Sequence, residues 1–470
     1  MGKEAATGRR WPASVSEAGL HAFFAFIAVV RRLFARLTAA GPEHRRVCMA
    51  VAIFVVGGTV CLFMRPQADA AWVAGHEVRG LWVVRTSMAT RGSVEKMVDI
   101  ASKSNFNALF VQVNGRGEAY YTSSVVPRMP RVDEGFDPLA FCIERAHEAG
   151  LQVHAWINAF TVGELGREAY PPGHVLSRHP EWALVDEAGV STLDYTPEMA
   201  EGELVSPMLD PAIEGVKEYV RGVFMEVVRN YDVDGVHFDY IRYPSTRFGY
   251  GDAARRAFRD LTGYDPLDLA RGPEAVQGGA GKEGEALHGE LVAKWNEFRR
   301  DQVTEVVRRV YEDVKRVKPG VAVSCAVFPD AVDAAERRLQ DWKTWLSRGI
   351  VDFVVPMVYT SNGDLFARHV RDAVEAARGR GGGRVLAGVG AYNMLEDPEG
   401  CIEKIGIARL LRAEGVVLFS YDAISDRPGY WQRLAGGPFR NKALAPALAR
   451  GGARGGAQGE AAQAREEAER

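Results

Sequence analysis

The chain has 470 residues, with 58 Lys and Arg against 61 Asp and Glu, a net charge of −3 and 47% hydrophobic residues. That length can bury a large core, and interspersed charge near neutrality argues against a nucleic-acid partner. Five cysteines without a Cys-x-x-Cys spacing argue against a disulfide framework and against a thiolate metal or redox motif.

Residues 1–46 form a basic leader with Arg31, Arg32, Arg36, Arg45 and Arg46. Val47–Met64 follows without a charge, at the lower limit for crossing a bilayer. The basic side precedes it, so the amino end is expected in the cytoplasm and the remainder outside. Two forms fit: a single-pass signal-anchor in the cell membrane, or a signal peptide cut after Ala68-Asp69-Ala70 that leaves a secreted protein.

From residue 77 to 435 apolar runs alternate with amphipathic stretches. Strands are expected at Val78–Arg85, Ala108–Asn114, Gln152–Asn158, Gly235–Asp239, Val321–Phe328, Phe353–Tyr359, Val385–Gly390 and Val416–Tyr421. Each run is nearly continuous in Val, Leu, Ile and Phe, the pattern of strands buried on both faces. Helices are expected between them, among others at Val94–Lys103, Pro138–Ala149, Ile213–Asn230, Leu291–Val317 and Gln340–Arg348, with Gly or Pro as stops. Eight strand–helix units make an α/β fold of the (β/α)8 TIM-barrel type. A doubly wound sheet would carry a phosphate-binding glycine turn after its first strand, where this chain has Arg85-Thr86-Ser87.

Long loops follow the third and fourth strands. The first carries Tyr170, His174, His179, Trp182 and Tyr195, and the second Arg242, Tyr243, Phe248 and Tyr250. Arg271–Glu285 reads as a mobile insertion, Arg378–Arg384 as a glycine-rich turn, and 441–470 as a disordered tail with too little apolar surface to offset ordering. All strand ends of a barrel face one mouth. Arg85, Gln112, Asn114, Arg116, Glu118, His154, Trp156, Asn158, His237, Asp239, Arg242, Asp330, Tyr359, Asn393, Tyr421 and Asp422 therefore form a polar, aromatic cup.

Four segments at strand ends, in order, carry a resemblance: Glu77-Val78-Arg79-Gly80-Leu81-Trp82, Val153-His154-Ala155-Trp156-Ile157-Asn158, Asp234-Gly235-Val236-His237-Phe238-Asp239 and Val355-Pro356-Met357-Val358-Tyr359. Over Glu77 to Trp431 the chain resembles the glycosyl hydrolase-like 10 family, exported bacterial barrels grouped with glycoside hydrolases. Members more often have two consecutive aspartates where this chain has Asp239-Tyr240, and Pro-Gln where it has Pro356-Met357. The resemblance implies cleavage of a bacterial glycan, with cell-wall glycan strands as a substrate, and supplies no catalytic pair.

Glycoside hydrolysis generally uses two carboxyl groups flanking the scissile bond. Asp239 ends a strand, with Arg242 near enough in sequence to favour its charged form, and is the first candidate. Asp330, Glu118 and Asp422, in that order, are candidates for the second. Asp234-Gly235 reads as a structural turn at the opposite end of the barrel. Arg85, Asn114, His154, Trp156, Asn158, His237, Arg242, Tyr243, Tyr359 and Asp422 are candidate substrate contacts, with Trp156, Tyr243 and Tyr359 as stacking platforms. Trp82 begins deeper and suits barrel packing equally. His154 and His237 lack the His-x-His start of barrel metallohydrolases, so no metal or cofactor is expected. Two classes stay open: a glycoside hydrolase, and a glycan-binding barrel without turnover.

Overall fold

Strands buried on both faces need Cβ-branched and aromatic residues at successive positions, and this chain supplies eight such runs. In the computed structural model, which describes residues 76–449 apart from 201, 277–280 and 380–381, all eight form strands. The order is β1 (Val78–Val83), α1 (Arg91–Lys103), β2 (Ala108–Asn114), α2 (Pro138–Glu148), β3 (Gln152–Asn158), α3 (Glu214–Asn230), β4 (Gly235–Asp239) and α4 (Gly281–Val317). It continues with β5 (Ala322–Val327), α5 (Trp342–Arg348), β6 (Phe353–Val358), α6 (Gly363–Ala377), β7 (Arg384–Gly390), α7 (Pro398–Leu410), β8 (Gly415–Phe419) and α8 (Pro428–Gly436). The strands pair in parallel with their sequence neighbours, and β8 closes on β1, as expected of a TIM barrel.

Helices coat the barrel through outward-facing strand residues. Val216, Val220, Val223, Phe224 and Val227 make one buried stripe of α3, and Phe224 stacks on Phe238 of β4 at 4.0 Å. Burying each such side chain contributes about 1.5–3 kcal/mol. Starts are fixed locally: Thr90 forms a capping box with Ser93 at α1, and Asp137 caps α2.

Inward positions alternate with these and fill the interior. Trp82, Phe110, His154, Trp156, His237 and Phe353 are large, so their neighbours must be small. A Cβ on Gly235 would lie 2.1 Å from His154 Nδ1, and one on Gly388 3.2 Å from the Trp82 ring and 2.5 Å from Pro356 O. These two glycines are the space into which His154 and Trp82 fit.

Three sequence expectations change. Residues 441–449, expected to be disordered, run along the lower end of the barrel, opposite the strands' carboxyl ends. Glu77 N–H donates to Leu444 O, Arg79 and Asn107 donate to Asn441 O and Ala443 O, and Leu448 and Ala449 are buried against the interior cluster of Val78 and Ala108. Arg271–Glu285 is not a free insertion throughout, because α4 already begins at Gly281. The excursion after β4 has structure of its own: helices Asp252–Thr262 and Pro266–Arg271 enclose a small core of Tyr250, Phe258, Leu269 and Trp295. The stretch Arg378–Arg384, expected as a turn, runs from the end of α6 to the first residue of β7, and its residues 380–381 lie outside the described residues. The basic leader, the apolar segment 47–64 and the residues beyond 449 lie outside the described residues. Among the described residues no helix is long and apolar enough to cross a membrane.

Candidate active site

The carboxyl ends of the strands open onto a cleft of about 410 Å³. Its floor is aromatic: Trp82 from β1, Trp156 from β3, and Tyr359 and Phe419 from just beyond β6 and at the end of β8. Tyr359 and Phe419 stack at 5.3 Å, and Trp82 meets each edge-on at 6.2 and 6.0 Å. One wall is Arg85, Gln112, Gly115, Arg116 and Asn158; the other is Asp239, Tyr240 and Arg242; and Thr161, Val205 and Ser206 from the long loop after β3 stand over them.

Asp239 is the last residue of β4 and pairs in register with Asn158 of β3, so both point up into the cleft. Burial pushes its carboxyl above the ordinary aspartate range. Arg242, whose Nη1 is 3.7 Å from Asp239 Oδ1, the Tyr240 backbone N–H at 2.7 Å and the Trp156 indole all pull against that rise. Arg242 is clamped between the rings of Tyr240 and Phe328, at 4.4 and 4.9 Å. The chain turns sharply here, with Tyr240 at φ +49°, a conformation uncommon for an aromatic residue.

The opposite wall is a hydrogen-bonded relay. Arg85 Nη1 donates to Gln112 Oε1 at 2.9 Å, Gln112 Nε2 to Asn158 Oδ1 at 3.2 Å, and Asn158 Nδ2 to Gly115 O at 2.7 Å. Arg116 reaches the rim, where it pairs with Glu164 at 2.8 Å.

Of the residues expected in the cup, the structure brings Arg85, Gln112, Arg116, Trp156, Asn158, Asp239, Arg242 and Tyr359 to the cleft. Others go elsewhere. His154 is one layer deeper than Trp156, stacked on Phe110 at 4.6 Å and fully buried. His237 is also fully buried below the cleft. Trp82 Nε1 can only donate, so its 3.3 Å contact makes His237 Nε2 the acceptor, and Nδ1–H then donates to Ser324 Oγ at 2.8 Å. Neither imidazole lines the cleft. Asn114 is turned away by a register shift: Gln112 pairs with Trp156, but Asn114 pairs with the outward-facing Ile157. Tyr243 is buried under Gly249 and beside Arg299, because the chain has already left the mouth.

The three candidate second carboxylates do not line the cleft. Asp330 is exposed and caps a short helix through the Val332 and Asp333 N–H groups, which hold its carboxyl below the ordinary range after offsetting burial. Glu118 is buried behind the Arg116 wall, 3.4 Å from Arg167. Asp422 accepts from Val84 N–H at 2.7 Å and Ser87 Oγ at 2.6 Å, tying β8 to the end of β1. Asp234 is where the turn reading puts it, accepting from Val153 N–H at the opposite end. Sequence reasoning passed over Tyr240, Phe419, Thr161 and Ser206. Phe419 shares inward parity with Val417 and could have been found that way; the loop residues carry no such signal.

The buried imidazoles have a measurable consequence. Burial pushes His154 down to about 4, against a weak opposing pull from Asp234. An unfolded histidine takes up a proton near 6.5, so between about 6.5 and 4 the unfolded chain binds the extra proton and stability falls as pH falls, at about 1.4 kcal/mol per pH unit. Thermal midpoints measured from pH 7 to 4 should drop, and His154→Leu should flatten that slope. An unchanged slope in the variant would mean that His154 is not the group responsible.

Residues 77–379 match the model of the glycosyl hydrolase-like 10 family. Glycosyl hydrolase YngK of Bacillus subtilis (strain 168) is 25% identical over 395 residues, 75% of this chain and 68% of that protein. Glycosyl hydrolase DigH of Escherichia coli (strain K12) is 24% identical over 351 residues, 66% and 68% of the two chains. Among solved structures, the PgaB (BpsB) glycoside hydrolase domain from Bordetella bronchiseptica superposes with a TM-score of 0.53 at 15% identity, covering 79% of this chain and 100% of that domain. Alpha-L-fucosidase isoenzyme 2 from Paenibacillus thiaminolyticus gives 0.52 at 18%, covering 77% of this chain and 49% of that one. The chain thus spans about half the fucosidase's length, and at these identities both structures speak for the fold alone.

Proposed function

We propose that this chain, which belongs to the glycosyl hydrolase-like 10 family, cleaves a bacterial glycan outside the cytoplasm, with the cell-wall glycan strand as substrate and Asp239 as its acid. The observation that carries this is Asp239 itself. It faces an aromatic-floored cleft at a strand's carboxyl end, and its burial keeps the proton on the carboxyl to higher pH than usual. Trp156, Tyr359 and Phe419 offer faces on which a sugar ring can stack, and Asn158 and Gln112 offer hydrogen-bonding groups to hydroxyls. The apolar segment 47–64 would hold the barrel at the membrane or direct its export.

A second reading, in which this member holds a glycan without cutting it, is favoured by one observation. Among the described residues Asp239 is the sole carboxylate lining the cleft, where hydrolysis commonly uses two. The two readings separate in one assay. The full-length protein should release reducing ends from peptide-free or peptide-bearing cell-wall glycan strands; saturable binding with no release would select the second reading, and neither binding nor release would remove the substrate.

A further inference from the structure

The cleft's charge does not match a neutral sugar. Arg85, Arg116 and Arg242 line it against one carboxylate. Arg242 is accounted for by Asp239 and by the two rings that clamp it. Arg116 leans on Glu164 at the exposed rim, a pairing of the kind worth little in water.

Arg85 is different. It is half-buried, and its side chain's one hydrogen bond among the described residues goes to the neutral Gln112. Burial and the like charge of Arg116 disfavour its ionised form, and the smaller opposing pulls of Tyr120, Glu118 and Glu164 do not offset them. A guanidinium carries five N–H donors in a fixed fork and stays charged in proteins, so removing it from water without an anion is costly. The site is nevertheless built to hold it. A Cβ on Gly115 would lie 2.8 Å from Arg85 Cδ and 2.9 Å from its Nη1, so the side chain lies flat over a bare backbone. Gly115 is itself pinned by Asn158, which stands beside Asp239 in the β3–β4 register. A cation held rigidly across a cleft from Asp239, with no ion pair of its own among the described residues, is an anion-recognition device.

We propose that Arg85, with Arg116, binds a carboxylate carried by the substrate's sugar, so that the enzyme acts on an acidic glycan. This rests on the glycan reading given above. The carboxylate can belong to the ring, as in a uronic acid, or to a lactyl ether on an amino sugar; a bidentate fork accepts either.

The test compares the full-length protein on matched oligosaccharides with the carboxylate intact and after its reduction to the alcohol. One arm uses uronate oligomers and the other lactyl-bearing amino-sugar oligomers. In the arm that carries the true source, reduction should weaken binding, measured by calorimetry, about 10–100-fold. Arg85→Gln should cause a similar loss on the intact ligand and almost none on the reduced one, and Arg85→Lys should restore part of it. Because reduction changes the ligand and not the protein, a folding defect in a variant cannot imitate the result. Equal binding of intact and reduced ligand in both arms, or equal loss on both forms in Arg85→Gln, overturns the carboxylate subsite and leaves the glycan reading standing. Binding of no oligosaccharide overturns both.

Discussion

Asp239→Asn is expected to lower turnover of the cleaved glycan by about 10²–10⁴-fold while changing binding only a few-fold. The amide is nearly isosteric, and its oxygen can still accept the Tyr240 N–H that the carboxylate accepts at 2.7 Å. What it cannot do is deliver a proton to the leaving oxygen. Reducing-end release gives kcat, and calorimetry on the uncleaved ligand gives affinity. A variant that keeps more than a tenth of wild-type kcat would remove Asp239 from the chemistry. The pH profile carries the same assignment with a sign. An acid must be protonated to act, so activity declines as pH rises through its pKa, and burial sets that decline above the ordinary aspartate range. Arg242 favours the carboxylate form. Arg242→Gln should therefore raise the pKa further and move the alkaline limb to higher pH; for a base the same rise would move the acidic limb instead.

The placement of Asp239 was legible because two independent signals agree. A carboxylate ends an apolar run, and apolar runs of that kind become parallel strands whose carboxyl ends face one mouth. For the same reason the expected limits of β2, β3 and β4 coincide with the observed ones. In the structure, alternation along the strands sorts the inward residues: His154, Trp156 and Asn158 on β3, and Gly235, His237 and Asp239 on β4. Depth was not legible. It depends on the stagger between neighbours, which sets His237 beside Trp156 and Asp239 beside Asn158, and so puts both histidines below the floor. Asn114 was lost to a local register shift and Tyr243 to the turn at Tyr240, events decided by tertiary fit. The C-terminal segment misled through averaging. Its composition over 441–470 is poor in apolar side chains, yet Leu448 and Ala449 meet an interior that lacks a cover.

Trp82→Ala is expected to cost about 3–5 kcal/mol of stability, the range for truncating a buried aromatic. The indole lines the cleft but is only 2% exposed, and it crosses from β1 to the space left by Gly388 on β7. It contacts Phe110, Tyr359 and Phe419 at ring distances of 6.1, 6.2 and 6.0 Å. Its N–H also fixes the His237 tautomer. Trp82→Phe keeps most of the volume and loses that hydrogen bond, so it should cost about 1–2 kcal/mol, including the unpaired His237 Nε2. Denaturant midpoints for the two variants separate packing from polarity. A Phe variant as unstable as the Ala variant would mean that the His237 contact dominates, and two near-neutral variants would mean that the floor is held from elsewhere. If the expected order holds, Trp82 is barrel core whose upper edge faces the cleft. Substitutions at Trp82 would then reduce activity through loss of the folded fraction, and measuring turnover well below each variant's midpoint would show kcat much closer to wild type than in Asp239→Asn.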